Sequence, residues 1–250
     1  MKKMEIREDL RLAVLIDADN VPYANIKGIM EEIARYGTPF IKRIYGDWTK
    51  PNLSGWKPVL LENAITPIQQ YGYTVGKNST DSAMIIDAMD ILYSQNIEGF
   101  CIVSSDSDFT RLAIRLREAG KRVIGIGEKK TPNPFIVACD KFIYIEIIDK
   151  EIAKKESPEK TSMSDKSRRE VIRLISSAID DLADDNGFAF LGEIGTFLMK
   201  KQPDFDPRNY GFQKLTALVK NLKVFEIDER RSGKTNIKHV FIRNRNGNAV

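Results

Sequence analysis

The chain has few of the residues that thiol, zinc and histidine chemistry require. Its 250 residues include two cysteines and one histidine, His239. Cys101 and Cys139 lie in apolar runs without zinc-ligand spacing, which predicts core thiols rather than a disulfide framework or a zinc site. A catalytic triad or a histidine-based ribonuclease would need His239 itself in the active site. Acidic side chains are therefore the first candidates for catalysis.

Long hydrophobic stretches are also missing. No apolar run approaches the roughly 18 residues that a membrane helix needs. The first residues, MKKMEIREDLR, carry acids where a secretory signal needs an apolar stretch. We therefore expect a cytoplasmic protein that has no membrane partner.

The formal net charge of +4 is unevenly distributed along the chain. Residues 1–150 carry 20 Lys and Arg against 20 Asp and Glu, whereas from Lys200 onward 12 basic residues stand against 5 acidic ones. Such a local excess attracts phosphate backbones, so nucleic acid becomes a candidate partner of the C-terminal part.

Short β-branched or aromatic runs alternate with amphipathic stretches of helix length through the first 148 residues. This alternation predicts a parallel sheet flanked by helices, an α/β sandwich. Asn20 is predicted to cap the first helix, which Gly37 ends. Further helices are predicted over residues 82–93 and 107–119. The predicted strands are LAVLI, PFIKRIYG, YTVG, GFCIVS, RVIGIG and FIYIEII.

A loss of apolar periodicity over residues 150–167 divides the chain. The segment is rich in Lys, Glu, Ser and Pro, which is the composition of a solvated linker. We therefore predict one domain over residues 1–149 and a second over 168–245. Three helices followed by two strands in the second domain are the plan of a winged helix, a small α+β fold.

Acidic residues recur where predicted strands end or predicted helices begin. Because the carboxyl ends of parallel strands face one edge of a sheet, these side chains should converge. Carboxylates so gathered repel one another, which either raises some pKa values or requires a divalent cation. Oxygen ligands favour Mg²⁺ or Mn²⁺ over zinc. The positions are Asp17, Asp19 and Asn20 in LIDADNV, Asp81 in NSTDSAM, and Asp106 and Asp108 in SSDSDF.

Such a site suits the hydrolysis of phosphodiesters by water. A divalent cation lowers the pKa of a bound water and stabilises the charge that grows on the phosphoryl oxygens. We predict that Asp17, Asp81 and Asp106 are metal ligands. Asp108 is then the fourth ligand or the base that orients the water. Each acid taken alone is explained equally well as a helix N-cap, which contributes about 1 kcal/mol.

Other residues are candidates for supporting roles. Asp87 lies either in the second layer around the site or on the solvated side of its helix, and Ser105 is a second-layer candidate beside the third acidic motif. Lys77 is a candidate for contact with a substrate phosphate, with an ordinary surface lysine as the alternative. Trp48 is a candidate for stacking on a base, although packing is the favoured interpretation of both Trp48 and Trp56.

Three motifs together resemble the NYN (LabA-like) branch of the PIN-domain nuclease superfamily. They are LIDADNVP, KNSTDSAMIIDAMD and VSSDSDFTRLAIRLREAGKRVIGIG, in this order over about residues 11–148. The resemblance implies a PIN-like α/β/α fold, divalent-metal ribonuclease activity and the ability of two copies to pair. The catalytic residues that it implies are Asp17 and Asn20 in the first motif, Asp81 in the second, and Asp106 and Asp108 in the third.

The C-terminal stretch resembles an OST-HTH/LOTUS domain over about residues 168–245. The segments FAFLGEIGTFL, DPRNYGFQKL and VFEID carry the likeness. Such a domain implies binding to RNA or to a protein partner. Gly211 and Phe212 are interpreted as structural. Several basic residues are candidates for phosphate contact, with solvated surface charge as the alternative. They are Lys214, Lys220, Lys223, Arg230, Arg231, Lys234 and Lys238.

These inferences predict a Mg²⁺- or Mn²⁺-dependent ribonuclease with an RNA-binding or protein-binding C-terminal module. Single-stranded RNA is the expected target, because accessible bases are where proteins read RNA. Two alternatives stay open. LIDADNV also fits the start of haloacid-dehalogenase-type phosphatases, in which Asp17 would be a covalent nucleophile and Asp19 the general acid. The other alternative is an RNA-binding adaptor whose first domain does not cleave.

Overall fold

The structure, a computed structural model, describes residues 9–71, 79–149, 163–231 and 238–245. The chain divides into two compact units, Met1–Ser157 and Pro158–Val250. The predicted strand YTVG and the candidate residues Lys77 and Lys234 lie outside the described residues. The linker and the two domain limits proposed from the sequence remain predictions.

The first unit is built on a six-stranded sheet with the order β3-β2-β1-β4-β5-β6. Every pair of neighbouring strands in it is parallel. The central strand is fully buried from Leu12 to Ile16, which explains why its sequence is a continuous apolar run rather than an alternating one. The strands are β1 (Arg11–Asp17), β2 (Thr38–Gly46), β3 (Thr66–Gln69), β4 (Gly99–Val103), β5 (Arg122–Gly127) and β6 (Lys141–Tyr144).

Helices cover both faces of this sheet. Val14 and Ile16 of β1 pack on one side into a core with Ile29 and Trp56, while the alternate residues of β1 pack on the other side against the remaining helices. The predicted α/β/α sandwich is therefore confirmed. The helices include α1 (Ile26–Ile33), α2 (Trp56–Asn63), α3 (Ser79–Ser94), α4 (Thr110–Glu118) and α5 (Asn133–Ala138).

Two strand predictions need correction. Strand β3 was missed because it is short and contains Pro67, a residue that disfavours a strand and is tolerated here at the edge of the sheet. The run FIYIEII is not one strand, because β6 ends at Tyr144 and residues 145–149 are helical. Both cysteines are buried, as their apolar surroundings predict.

The second unit is a small α+β region. Its core joins residues of all three helices to the inner face of an antiparallel sheet with the order β7-β9-β8. The first helix begins at Asp165, and the side chain of Ser164 caps it. The elements are α6 (Asp165–Leu182), β7 (Ala189–Phe190), α7 (Leu191–Lys201), α8 (Leu215–Leu222), β8 (Phe225–Arg231) and β9 (Lys238–Asn244).

Gly211 and Phe212 have the structural roles that the sequence suggests. Gly211 ends a short 3-10 helix, Pro207–Tyr210, with a φ of 88°, a backbone conformation that glycine adopts without strain. Phe212 packs against the core of the second unit. Within the described part of the chain, no helix combines the length and the apolar character needed to cross a membrane.

Candidate active site

The sheet brings the first and third acidic motifs side by side. Strands β1 and β4 are parallel neighbours, and Ile16 stands opposite Val103 in their register. Asp17 is the last residue of β1 and Ser104 follows β4 directly, so the two motifs leave the sheet together at its carboxyl edge. The expected convergence of carboxyl ends therefore occurs at the most buried strands of the sheet.

Three carboxylates meet at this edge, and we call them the acidic triad: Asp81, Asp106 and Asp108. Each can offer one oxygen, and these oxygens all lie within 4.8 Å of one another. Asp81 comes from the first turn of α3, whereas the other two come from the loop and 3-10 helix after β4. Asp108 is exposed and its two partners are half-buried. Oxygen donors this close, from chain segments this far apart in sequence, fit a hard divalent cation.

Asp17 lies deeper than the acidic triad. Only 1% of it is exposed, and it is not one of the three carboxylates close enough to share an ion. Its Oδ1 accepts a hydrogen bond from the backbone of Asp19 at 3.1 Å, and its Oδ2 accepts from Asn20 Nδ2 at 2.7 Å and from Ser104 Oγ at 2.8 Å. The pKa of Asp17 is raised above its ordinary value by burial, and these hydrogen bonds offset only part of that rise.

The pKa of Asp81 reflects the charges of the surrounding acidic residues. Its pKa is raised to about 6, first by burial and then by repulsion from Asp17, Asp106, Asp108 and Asp19. The negative charges of these four carboxylates therefore oppose the ionisation of Asp81. A bound cation would relieve this repulsion.

Ser104 is the site residue that sequence reasoning missed. Its Oγ donates to Asp17 Oδ2 at 2.8 Å and accepts from the backbone N–H of Asp106 at 3.1 Å. It therefore connects the buried carboxylate to the acidic triad. Ser105, the predicted second-layer residue, instead accepts a hydrogen bond from the backbone of Glu128 at 2.8 Å and holds the loop after β5. Ser104 could have been predicted only from the pairing of β1 with β4, which places it beside Asp17 at the ends of the two strands.

The helix-cap interpretation holds for Asp106 but not for Asn20. Asp106 precedes the 3-10 helix Ser107–Phe109, and its Oδ1 accepts from the backbone of Asp108 at 2.9 Å. A carboxylate has two oxygens, so this cap leaves room for a second role. The predicted cap by Asn20 is wrong, because Pro22 is the residue that precedes the first helical turn. Asn20 Nδ2 instead donates a hydrogen bond to Asp17 Oδ2.

Asp87 supports the site from a distance. Its carboxylate accepts hydrogen bonds from Arg43 and from the hydroxyl of Tyr45, both on β2. Burial and the neighbouring Asp87 raise the pKa of the Tyr45 hydroxyl, so it remains a donor. Tyr45 stands opposite Asp17 in the sheet. Asp87 therefore ties α3, which carries Asp81, to the strands beneath the site.

Both tryptophans of the first unit contact its hydrophobic core. Trp48 donates its Nε1 hydrogen to the carbonyl of Ile68 at 3.0 Å and packs against the core. Trp56 is 1% exposed. The favoured interpretation, packing rather than stacking on a base, is therefore confirmed for Trp56, and the contacts of Trp48 support the same role.

Several of the basic candidates in the second unit are paired with acids. Lys220 Nζ lies 2.6 Å from Glu229, and Arg230 Nε lies 2.7 Å from Asp228. These pairs cancel part of the attraction for phosphate that the sequence predicts. Lys214, Lys223 and Arg231 are exposed, as expected of residues that contact a polyanion or only solvent.

The outer face of the small sheet carries aromatic rings together with guanidinium groups. The ring centroid of Phe190 lies 5.5 Å from that of Phe241 and 5.6 Å from that of His239. The guanidinium of Arg230 stands 4.1 Å over Phe241, and that of Arg243 stands 4.6 Å over Phe188. We call this surface the aromatic–arginine face. Flat rings and flat cations are the groups on which nucleic-acid bases stack.

The chain is similar to a curated protein over part of its length. A protein of Methanocaldococcus jannaschii, described as uncharacterized, is 27% identical over 121 residues, which cover 47% of this chain and 47% of that protein. The chain thus matches somewhat less than half the length of this curated relative.

Solved structures give weaker likenesses. A Vibrio parahaemolyticus protein of unknown function is 19% identical with a TM-score of 0.48, covering 57% of this chain and 96% of that one. An uncharacterized protein of Nitrosomonas europaea is 32% identical with a TM-score of 0.30, covering 36% of this chain and 82% of its own.

Two families match the chain in succession. The NYN domain covers residues 11–146, more than half of the chain, and includes every acidic residue of the site described above. The OST-HTH/LOTUS domain follows over residues 162–237 and coincides with most of the small α+β region. Both resemblances expected from the sequence are therefore confirmed. The chain belongs to the NYN domain family and carries an OST-HTH/LOTUS domain after its NYN domain.

Proposed function

We propose that this protein is a metal-dependent ribonuclease that hydrolyses RNA phosphodiester bonds with water at the acidic triad. The two family matches support a nuclease that carries an RNA-binding module. The observation that carries the proposal further is the approach of three carboxylate oxygens to within 4.8 Å at the carboxyl edge of the NYN sheet.

The donor set of the acidic triad fits Mg²⁺ or Mn²⁺, because all three groups offer carboxylate oxygen. When bound, such an ion lowers the pKa of a water and balances the charge that develops on the phosphoryl oxygens. Asp81 and Asp106 are the half-buried groups that would hold the ion. Asp108, the exposed member, would orient the attacking water.

The buried Asp17 organises the groups around it. Its carboxylate fixes the amide of Asn20 and the hydroxyl of Ser104, and that hydroxyl in turn accepts from the backbone of Asp106. Its negative charge also adds to the field at Asp81, which favours a cation there. We therefore assign Asp17 to positioning and charge, and its predicted role as a metal ligand stays a prediction.

The burial of Asp17 argues against the phosphatase alternative. A covalent nucleophile has to reach the phosphorus atom of its substrate, which requires an accessible oxygen. Asp17 is 1% exposed and both of its oxygens accept hydrogen bonds from within the protein. The acidic triad, by contrast, is open to solvent at Asp108.

The function is tested with labelled single-stranded RNA incubated with Mg²⁺, with Mn²⁺ or with excess EDTA. We expect shortened products with either ion and none with EDTA. Release of inorganic phosphate from small phosphate esters, without cleavage of RNA, would identify a phosphatase instead. Retained RNA binding with no cleavage at any ion concentration would identify a non-catalytic adaptor.

The second unit is proposed to supply affinity rather than chemistry. Its aromatic–arginine face suits single-stranded RNA, and tethering raises the concentration of RNA at the acidic triad. A chain that ends at Ser157 should therefore show a KM for single-stranded RNA raised by about tenfold or more, with kcat changed less than about twofold. Steady-state kinetics on one substrate provide the measurement, and equal losses in KM and kcat would contradict this division of roles.

A further inference from the structure

A cavity of about 300 Å³ is lined in part by Asp19 and Asn20 of the first acidic motif and plays no part in the proposed chemistry. It opens between the loop after β1, the segment that leads into α2 and the loop after β5. Its walls include Asp19, Asn20, Tyr23, Asn52, Glu128 and Lys130.

The cavity is anchored to the catalytic motifs on two sides. On one wall, Asn20 Nδ2 donates to Asp17 Oδ2 at 2.7 Å. On the other, the backbone N–H of Glu128 donates to the hydroxyl of Ser105, the residue before Asp106, at 2.8 Å. The cavity walls are therefore joined by hydrogen bonds to the first and third acidic motifs.

Tyr23 gives the cavity a fixed aromatic wall. It is 48% exposed, yet its ring rests directly on Gly55, where an added Cβ would lie 2.7 Å from Tyr23 Cε1. The buried ring of Trp56 meets it edge-on, with 6.4 Å between centroids. An aromatic ring that is both exposed and held in place can accept a stacked base with little loss of side-chain entropy.

The charges of the lining favour a neutral guest over a phosphate. Asp19 and Glu128 contribute carboxylates, and the cation of Lys130 is paired with Glu128 at 2.5 Å. Asn20 Nδ2 donates one hydrogen bond to Asp17, and the carbonyl oxygen of the same amide is an acceptor that a guest could use. Carboxylate and amide oxygens therefore stand around the aromatic wall as acceptors, and they suit a guest that offers N–H groups.

We propose that this cavity binds a nucleobase with an exocyclic amino group, stacked on Tyr23, in the nucleotide next to the phosphate at the acidic triad. The inference rests on the proposed function and adds a base preference to it. Adenine, with its N6 amino group, meets the acceptor-rich lining, whereas uracil offers only one N–H and presents two carbonyl oxygens to carboxylates.

The test compares oligoadenylate and oligouridylate as substrates for the full chain and its variants. The parent should cleave oligoadenylate with a kcat/KM about tenfold above that for oligouridylate, and Tyr23→Leu should raise the KM for oligoadenylate about tenfold with little change in kcat. Tyr23→Phe keeps the ring and should behave as the parent. Tyr93→Leu, which removes a 69% exposed ring on α3, is the matched control.

Equal KM values for Tyr23→Leu and Tyr93→Leu, or a parent without preference between the two substrates, would overturn the proposal. A second measurement separates it from the proposed ribonuclease activity. Should the parent cleave no RNA with Mg²⁺ or Mn²⁺, the proposed function fails, and binding of adenosine monophosphate in EDTA, followed by saturation-transfer NMR, then decides the cavity. Binding that Tyr23→Leu abolishes supports the site, whereas absent or unaltered binding refutes it.

Discussion

Replacing Asp106 with asparagine is expected to reduce RNA cleavage by about 100-fold or more, with RNA affinity unchanged. The substitution removes one negative charge from the acidic triad but keeps the shape of the side chain. The amide oxygen of Asn can still accept the hydrogen bond that Asp106 Oδ1 receives from the backbone of Asp108. The local 3-10 turn should therefore persist, and the loss of rate reflects the loss of charge.

The measurement is kcat for single-stranded RNA with Mg²⁺, accompanied by RNA affinity in EDTA and by thermal unfolding. Asp90→Asn is the matched control, because it removes the same charge from an exposed position on α3. It should leave kcat within about twofold of the parent, since an exposed charge away from the site is screened by salt. Cleavage by Asp106→Asn at the parent rate would remove this residue from the mechanism.

Much of this site could be predicted from strand ends alone. The run LAVLI is apolar throughout because β1 is buried on both faces, and its last residue, Asp17, therefore stands out. The carboxyl edge of a parallel sheet then places the motifs after β1 and β4 together. The chemistry follows from which strands are neighbours, and the sequence indicates these strands clearly.

The different roles of the acidic residues could not be predicted from the sequence in the same way. Asp17 and Asp108 look alike in the sequence, yet one is 1% exposed and the other is an exposed member of the acidic triad. Burial depends on which elements cover a residue, and those elements lie far along the chain. Ser104 was missed for the same reason, since its contact with Asp17 exists only once β1 and β4 are in register.

The cavity beside the site shows the same limit. Tyr23 belongs to a polar segment that suggests only the start of a helix, and its exposed ring is typical of many surface tyrosines. Its fixed position depends on Gly55 and Trp56, which follow it by a whole strand. Edge strand β3 was missed on different grounds, because a short run that contains Pro67 lacks the alternation that identifies a strand.

Replacing Asp81 with asparagine should stabilise the metal-free protein, even though it removes a residue of the proposed catalytic site. The pKa of Asp81 is raised from an ordinary value of 3.8 to about 6 by burial and by repulsion from its acidic neighbours. The folded state therefore binds this proton more tightly than the unfolded chain does. Its contribution to stability is fully present below pH 3.8 and is lost as the pH rises through about 6.

At pH 8 the ionised carboxylate of Asp81 opposes folding, because it is partly buried and is repelled by its acidic neighbours. Asparagine carries no charge and removes both effects. We expect the variant to melt about 3 °C above the parent in EDTA at pH 8, a size that allows for solvent screening of a partly exposed group. The difference should largely close at pH 4.5, where the folded parent carries a protonated Asp81 of nearly the same shape and charge as asparagine. Thermal unfolding of both proteins at the two pH values is the measurement.

The same pair of proteins tests whether the acidic triad holds an ion. A ligand that binds only the folded state raises its stability by mass action, so Mg²⁺ should raise the melting temperature of the parent at pH 8. Asp81→Asn lacks one of the three carboxylates and should gain much less. Asp90→Asn, at its exposed position on α3, should respond to Mg²⁺ as the parent does.

An equal gain by all three proteins would place ion binding outside the acidic triad. A melting temperature of Asp81→Asn below that of the parent, in EDTA at pH 8, would contradict the destabilising charge assigned to Asp81. Burial and repulsion both raise the pKa of Asp81, and a bound cation would relieve the repulsion, so the metal-free site is destabilised by the same charges that would attract the ion.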